Sequence, residues 1–235
     1  EALSLINVKY HELPFYLTPE ESLNKEAIEI HEGSHNLAGE SGYEIGDVDS
    51  AFSNADIIVE DEFITPIVTH SPIETHLSLV DIDHRGRLTF YVATQVPTIL
   101  RERLAMCLGM SQGQIRIVNQ TVGGGFGGKQ EPVYEQINAM LTLKTRRPVY
   151  LELTREEELS TTRTRHSGKF YFKTGISSEG KLLAREMKVV QNTGAYSSHG
   201  HAVIQSILGQ FSALYPTPNL RCNGKTVYTN ILIAV

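Results

Sequence analysis

Val122-Gly123-Gly124-Gly125-Phe126-Gly127-Gly128-Lys129 places five glycines in the six positions 123–128. Glycine is unfavourable inside helices and strands because it loses the most backbone freedom on folding. So dense a run marks a loop, and at least one glycine in it is expected at positive φ. Just upstream, Gln114 to Val118 alternates, with Ile115 and Ile117 on one face, which predicts a strand. Just downstream, Val133, Ile137, Met140, Leu141 and Lys144 fall on one stripe and predict a helix over 132–145. Its acids Glu131 and Glu135 lie at the start and Lys144, Arg146 and Arg147 at the end, as the helix dipole favours. The segment is therefore expected to form a strand–loop–helix junction, with bare backbone N–H groups at a helix N-terminus where a phosphate can approach.

Further out, strands and helices mix. Leu77 to Ile82 and Leu88 to Thr94 flank Asp83-His84-Arg85-Gly86, a hairpin turn signal. Pro97 opens a helix in which Leu100, Leu104 and Leu108 recur as core positions, and Gly109 stops it. Val149, Leu151 and Leu153 predict another strand, and Phe170–Thr174 and Leu182–Val190 a second hairpin around Ser178-Glu179-Gly180. Toward the N-terminus, residues 2–8 read as a helix end, Val8 to Leu13 as a strand, and Thr18-Pro19 as an N-cap and first helical residue. Residues 31–46, rich in Gly, Ser, Asn and Glu, read as a linker. The fold class is α+β, with mixed sheets and helices.

Bulk properties narrow the function classes. A chain of 235 residues holds one large or two small domains, and its net charge of −6 argues against a general nucleic-acid binder. Only Cys107 and Cys222 occur, with no Cys-x-x-Cys pair, which excludes a zinc or iron–sulfur centre held by this chain alone and fits a reducing cytoplasm. No apolar run reaches the length of a membrane span. The apolar finish Ile231-Leu232-Ile233-Ala234-Val235 suggests a piece of a longer chain.

Three ligand chemistries, and a plain tight turn, compete for the glycine run. Gly123, Gly125 and Gly128 satisfy Gly-x-Gly-x-x-Gly, with Glu152 as the acid further on, as in a Rossmann turn over 123–128. Such a turn normally opens its domain, however, whereas hairpins and a helix come first here. Gly123 with Gly128-Lys129 nearly satisfies the Walker pattern, but Gln130 offers no hydroxyl to magnesium. Neither pattern accounts for Phe126.

The third possibility does. The stretch 122–129 resembles the cofactor loop of the xanthine dehydrogenase and aldehyde oxidase family. Ala93-Thr94-Gln95-Val96-Pro97 is similar to that family's glutamine segment, and Ser71-Pro72-Ile73-Glu74-Thr75-His76 to its Glu-Pro-His-like stretch. Thr162-Arg163-Thr164-Arg165-His166 and Asn192 to His201 resemble bacterial xanthine dehydrogenase subunits, and Tyr228-Thr229-Asn230 the segment before the family's Ala-x-Arg-Gly loop. The resemblance implies that residues 1–32 are the tail of a hammerhead-type α/β domain, 33–46 a linker, and 47–235 the first part of a molybdenum-cofactor-binding domain. It implies a molybdopterin-type cofactor bordered by Gln95, Gly124, Gly125, Phe126 and Gly127. By the same resemblance Gln95 is expected to donate to an oxo ligand of the molybdenum, with no residue of this chain ligating the metal directly. The family's catalytic glutamate and Ala-x-Arg-Gly loop fall beyond Val235, so no catalytic residue is expected within the chain, which alone should be inactive. The reaction implied is hydroxylation of an N-heterocycle such as a purine, or of an aldehyde, with oxygen from water. Electrons leave to iron–sulfur and FAD groups on other subunits or domains, in a cytoplasmic enzyme of purine metabolism that engages neither nucleic acid nor membrane.

Other residues divide between functional and bland roles. Gln95 could instead cap the helix opening at Pro97. Gln130, after the loop lysine, stands where purine-oxidising animal relatives have a substrate-contacting glutamate, so it is the substrate-side candidate; an amide carries no charge, which weakens the case for purines. The family's substrate-side arginine has no counterpart, with Gln205 and Ser206 near its place. His199-Gly200-His201 and His70 with His76 lack a third metal ligand. Glu74 is expected to fix a loop, and Arg155, Arg163 and Arg165 to pair with Glu156, Glu157 and Glu158, the alternative being contact with a pterin or nucleotide phosphate. A nucleotide-dependent dehydrogenase and a non-catalytic α+β interaction module remain the alternatives to the molybdenum hydroxylase.

Overall fold

The computed structural model describes residues 3–234, arranged as two compact units: residues 1–63 with 168–231, and 64–167 with 232–235. Both units are discontinuous in sequence, so the breaks fall after residues 63 and 167 rather than around a linker at 33–46.

In the first unit a five-stranded sheet runs β1 (Leu37–Ile45), β9 (Asn219–Tyr228), β8 (Leu182–Gly194), β7 (Ser167–Ile176), β2 (Ile57–Thr65). The region expected to be a linker holds β1, which pairs antiparallel with β9 from Leu37 to Ile45. A polar, glycine-bearing segment becomes a strand because a partner far away in sequence completes its ladder, a tertiary override of a weak local propensity. β8 and β9 are parallel and joined by α6 (Gly200–Leu214), whose Ile204, Leu208 and Phe211 pack on Met187, Val189 and Leu220. The hairpin expected around 178–180 joins β7 to β8. Two short helices complete the unit. In α1 (Pro19–Ser22), Thr18 and Glu21 form a reciprocal capping box. In α2 (Val48–Ser53), Asp49 shares Arg221 with Glu44 of β1. The strand expected at Val8–Leu13 is absent: these residues are irregular, and Val8, Tyr10 and Leu13 are exposed. The helix end expected at 2–8 reduces to a 3₁₀ turn at Leu3–Leu5, residue 2 lying outside the described residues.

The second unit carries the glycine run. Its sheet runs β5 (Ile115–Asn119), β4 (Leu88–Val92), β3 (Leu77–Ile82), β6 (Val149–Glu152). β4 and β5 are parallel, and β3 is antiparallel to both β4 and β6. β4, β5 and β6 therefore point the same way, and their C-terminal ends share one edge with the start of β3. Behind the sheet, α3 (Pro97–Leu108) buries Leu100 and Leu104 against Phe90 and Val92 and ends at Gly109 with φ 62°. Both the stripe and its stop match the sequence.

α4 (Glu135–Thr145) departs from expectation twice. It begins at Glu135, later than residue 132, and the Glu135 carboxylate folds back to accept the N–H groups of Val133 and Tyr134, the two residues just before the helix. Its buried face is also the other one. Glu135, Asn138, Ala139 and Thr142 are buried, while Ile137, Met140 and Leu141 are 48%, 57% and 42% exposed. Asn138 Nδ2 donates to the backbone and hydroxyl oxygens of Ser78, both at 2.8 Å, and Thr142 Oγ1 to Val80 O. A polar face that meets sheet oxygens outcompetes an apolar stripe here.

Candidate functional site

The parallel register of β4 and β5 sets Val92 beside Asn119. The chains leaving those two residues therefore start side by side. Gln120 N donates to Val92 O, and Thr94 N to Asn119 Oδ1, which keeps them together beyond the sheet. Gln95 then meets the glycine loop. Its side-chain oxygen accepts the N–H of Gly127 at 3.1 Å and of Lys129 at 3.2 Å, while its own N–H donates to Lys129 O at 3.0 Å. The N-cap of α3 is Val96, without a side-chain cap, so Gln95 is not a helix cap. With its oxygen engaged twice by the loop, the side chain's remaining donor is the amide nitrogen, on an exposed residue.

The loop is a turn built on unusual backbone. Gly128 N donates to Gly125 O at 2.8 Å, and the two residues between them, Phe126 and Gly127, have φ 54° and 105°. Gly124 also lies at positive φ, so the expectation of a positive-φ glycine holds. Phenylalanine rarely adopts such a φ, at a cost of order 1–2 kcal/mol, yet its ring is 61% exposed and gains little burial in return. The neighbours show why the other positions are glycine. A Cβ at Gly125 would sit 2.4 Å from Gln95 Oε1, one at Gly123 2.6 Å from Glu74 Cβ, and one at Gly127 or Gly128 3.2–3.3 Å from the His70 ring.

Beneath the turn, segment 70–76 clasps both loop ends. Glu74 Oε2 accepts the Gly123 N–H at 2.9 Å and the Lys129 ammonium at 2.6 Å. Glu74 N donates to Gly123 O, and Lys129 Nζ donates to Glu74 O. The loop lysine is thus turned inward and buried, the opposite of a Walker lysine reaching a phosphate. His76 Nδ1 lies 2.9 and 3.0 Å from the two Glu158 oxygens, and its Nε2 3.1 Å from Gly128 O. Glu158 sits on α5 (Arg155–Thr161), which opens with a Thr154–Glu157 capping box. Burial opposes its charge, but hydrogen bonds from the ring and N–H of His76 prevail and hold the carboxyl below its ordinary value. His70 faces Arg163 O with Nδ1, while its buried Nε2 has no hydrogen-bond partner among the described residues. Burial, with Arg165 nearby, lowers its pKa and favours the neutral ring.

Several sequence expectations change accordingly. The run 123–128 does not abut a helix N-terminus: α4 starts only at Glu135, beyond the segment 129–134 that follows the loop. A Rossmann turn over 123–128 loses its anion site by the same geometry. Arg163 pairs with Glu131 and Arg155 donates to Ile73 O, so the basic cluster does not pair with Glu156–Glu158 as expected. Glu74 does fix a loop. Gln130 follows Lys129 at the partly exposed end of the turn. Gln205 and Ser206 lie on α6 of the first unit, where Ser206 borders an apolar groove of about 510 Å³. Sequence reasoning missed Glu158 as the partner of His76, and no spacing joins positions 82 residues apart. Among the described residues no three His, Cys, Asp or Glu side chains gather as metal ligands, and no helix is long and apolar enough to cross a membrane.

The profile of the molybdopterin cofactor-binding domain matches residues 30–234. The chain is 38% identical over 98% of its length to the nicotinate dehydrogenase large molybdopterin subunit of Eubacterium barkeri, and spans 54% of that protein. It is 35% identical over 98% of its length to a putative xanthine dehydrogenase molybdenum-binding subunit of Escherichia coli, and spans 31% of it. In structure it is similar to the aldehyde oxidoreductase from Desulfovibrio gigas, with a TM-score of 0.91 and 27% identity over 99% of this chain and 26% of that one. The chain therefore spans about half, or about a third, of the relatives it matches.

Proposed function

The chain belongs to the molybdopterin cofactor-binding domain family, and on that premise we propose that it forms one wall of the cofactor site in a molybdenum hydroxylase acting on an N-heterocycle such as a purine, or on an aldehyde, with water as the oxygen source. The observation that carries this is Phe126. A bulky residue is held at φ 54° with its ring largely exposed, on a turn whose amides are already tied down by Gln95. Strain that the surrounding structure maintains without a packing return is the signature of a ligand-facing element.

The residues fit the group. Gly124, Gly125, Phe126 and Gly127 would border it, because side chains at these glycines would strike Gln95 or His70, or demand a strained backbone, and so the loop surface stays bare. Gln95 would offer its amide N–H. Its oxygen is fixed by two loop amides, so the donor is oriented in advance and costs no reorganisation as charge develops opposite it. Gln130 would lie on the substrate side, where its uncharged amide can donate and accept but cannot take up a proton, which weakens the case for a purine over other heterocycles or an aldehyde. When bound, the molybdenum–pterin group supplies the redox chemistry, and the protein supplies orientation and electrostatics.

The remaining machinery is read the same way. Residues 1–32 would be the end of a preceding hammerhead-type domain; the family match begins at residue 30, while these residues belong to the same compact unit as residues 168–231. Electrons pass to iron–sulfur and flavin groups on partner subunits or domains, in a cytoplasmic enzyme of purine or related heterocycle metabolism. Metal and pterin analysis of the purified full-length enzyme tests the assignment. About one molybdenum and one pterin per protomer supports it. Saturable micromolar binding of NAD without molybdenum returns the chain to the dehydrogenase class.

A further inference from the structure

His76 stands at the foot of β3 with acceptors on both sides. Nδ1 faces the Glu158 carboxylate and Nε2 faces the Gly128 carbonyl oxygen. A ring nitrogen that faces a carbonyl or a carboxylate makes a hydrogen bond only if it carries the hydrogen, because neither partner can donate. Both contacts therefore require hydrogens on both nitrogens, and the buried Glu158 carboxylate is the countercharge for such a ring. Glu158 also accepts the backbone N–H of His76 at 2.8 Å, so ring and backbone are aligned by one carboxylate. Leu153 N donates to His76 O, which pins the same residue to the end of β6. Gly128 closes the turn that displays Phe126, through its N–H to Gly125 O. Its carbonyl belongs to the Gly128–Lys129 peptide, whose N–H meets Gln95 Oε1 on one side and whose oxygen meets His76 on the other.

We propose that His76 and Glu158 are positioning residues for the glycine loop, the ring gripping Gly128 O with Nε2–H while Glu158 holds Nδ1–H and balances the charge. They touch neither substrate nor cofactor. Their effect passes through Gly128 to the orientation of Phe126 and Gly127. The pair's role in the reaction rests on the cofactor reading above, but its grip on the loop does not.

Isosteres separate positioning from bulk stability. An asparagine amide nitrogen can take the place of Nδ1 and still meet Glu158, but cannot reach Gly128. A glutamine amide nitrogen can take the place of Nε2 and meet Gly128, but leaves Glu158 facing an empty contact. Leaving the buried carboxylate with only the backbone N–H of residue 76 is the costlier loss, so global stability should rank His76→Asn above His76→Gln. Loop order should rank the opposite way. The measurement is hydrogen exchange of the Gly127, Gly128 and Lys129 amides, with β3 and β4 amides as internal reference, on the full-length enzyme stripped of cofactor. Expected are at least tenfold faster loop exchange in His76→Asn and in Glu158→Gln, a change within about threefold in His76→Gln, and the reverse order of His76→Asn and His76→Gln in urea midpoint. In loaded enzyme, kcat should follow the loop-exchange order while KM stays near wild type. If loop exchange instead ranks with the urea midpoints, or the Asn and Gln variants exchange alike, the positioning role is overturned. Because the exchange arm needs no cofactor, its failure is distinct from a failure to find molybdenum.

Discussion

Lys129 Nζ lies 2.6 Å from Glu74 Oε2, with the lysine side chain 2% exposed and the glutamate 25%. The pair joins the last residue of the glycine loop to the segment that also binds its first glycine. Removing one partner strands the other. Glu74→Ala should destabilise the chain by about 3 kcal/mol, the cost of leaving a buried ammonium without its carboxylate. The double variant Glu74→Leu with Lys129→Met should recover most of that. Urea unfolding of wild type, Glu74→Ala and the double variant checks it, and a double variant as unstable as Glu74→Ala would show that the ion pair is not the source of the loss.

The strain at Phe126 gives a prediction of the opposite sign. Phe126→Gly relieves a positive φ and removes a ring that is mostly in solvent. Stability should hold or rise by up to about 1 kcal/mol, after the unfolded-state entropy of glycine is set against the relief. Gly127→Ala should cost more than about 1 kcal/mol, because φ 105° and the His70 ring both oppose a Cβ. Gly86→Ala, with a similar φ but open space, isolates the backbone part. Thermal unfolding of the three variants reads this directly.

Gln95→Ala in the loaded enzyme should lower the chemical rate by roughly ten- to a thousandfold, as expected for losing one preorganised donor. Substrate affinity should change little. Single-turnover kinetics at full molybdenum loading make the comparison, and wild-type rates would leave Gln95 as a loop strut alone.

On α4 the order of sensitivities should invert the usual hydrophobic rule. Asn138→Ala removes two hydrogen bonds to Ser78 in a fully buried position and should cost about 2–3 kcal/mol. Met140→Gln, on the exposed apolar face, should change stability by less than about 0.5 kcal/mol. Urea midpoints of the two variants decide which face is the core face.

Acid should act on the second unit in two stages. His70 has a lowered folded-state pKa, so the unfolded chain binds the extra proton and stability falls as pH drops below 6.5. Glu158 has a carboxyl held below 4.5, so its contribution is present above that value and is lost as pH falls further through the folded pKa. His70→Asn should remove the first stage and leave the second. Unfolding midpoints between pH 7 and 3 test both signs.

How much was legible beforehand follows from the range of each interaction. Local signals read true. The Pro97 start and Gly109 stop of α3, the Thr18–Pro19 opening of α1 and the hairpin at 83–86 depend on neighbours a few residues away. The positive-φ glycines of the loop were legible for the same reason, since a run of residues without Cβ atoms has no other use for that freedom. The linker at 33–46 and the buried stripe of α4 went wrong where distant partners decide, and the strand expected at 8–13 is irregular and exposed. β1 exists because β9 pairs with it, and α4 turns Asn138 inward because Ser78 offers two oxygens.

The sequence by itself determined that residues 123–128 form a bare loop carrying Phe126; Gln95 joined it there only through the family resemblance, with a helix-cap role left open. Only the tertiary structure decided what holds the loop in place. The parallel register Val92–Asn119 brings Gln95 to Gly127, and the antiparallel register Leu77–Glu152 brings α5, and with it Glu158, back to His76. Strand pairing acts across tens of residues at once and is set by the summed packing and hydrogen bonding of whole strands. Hence no short motif carries the clasp of Glu74, His76, Lys129 and Glu158, although each of its members is plain in the chain.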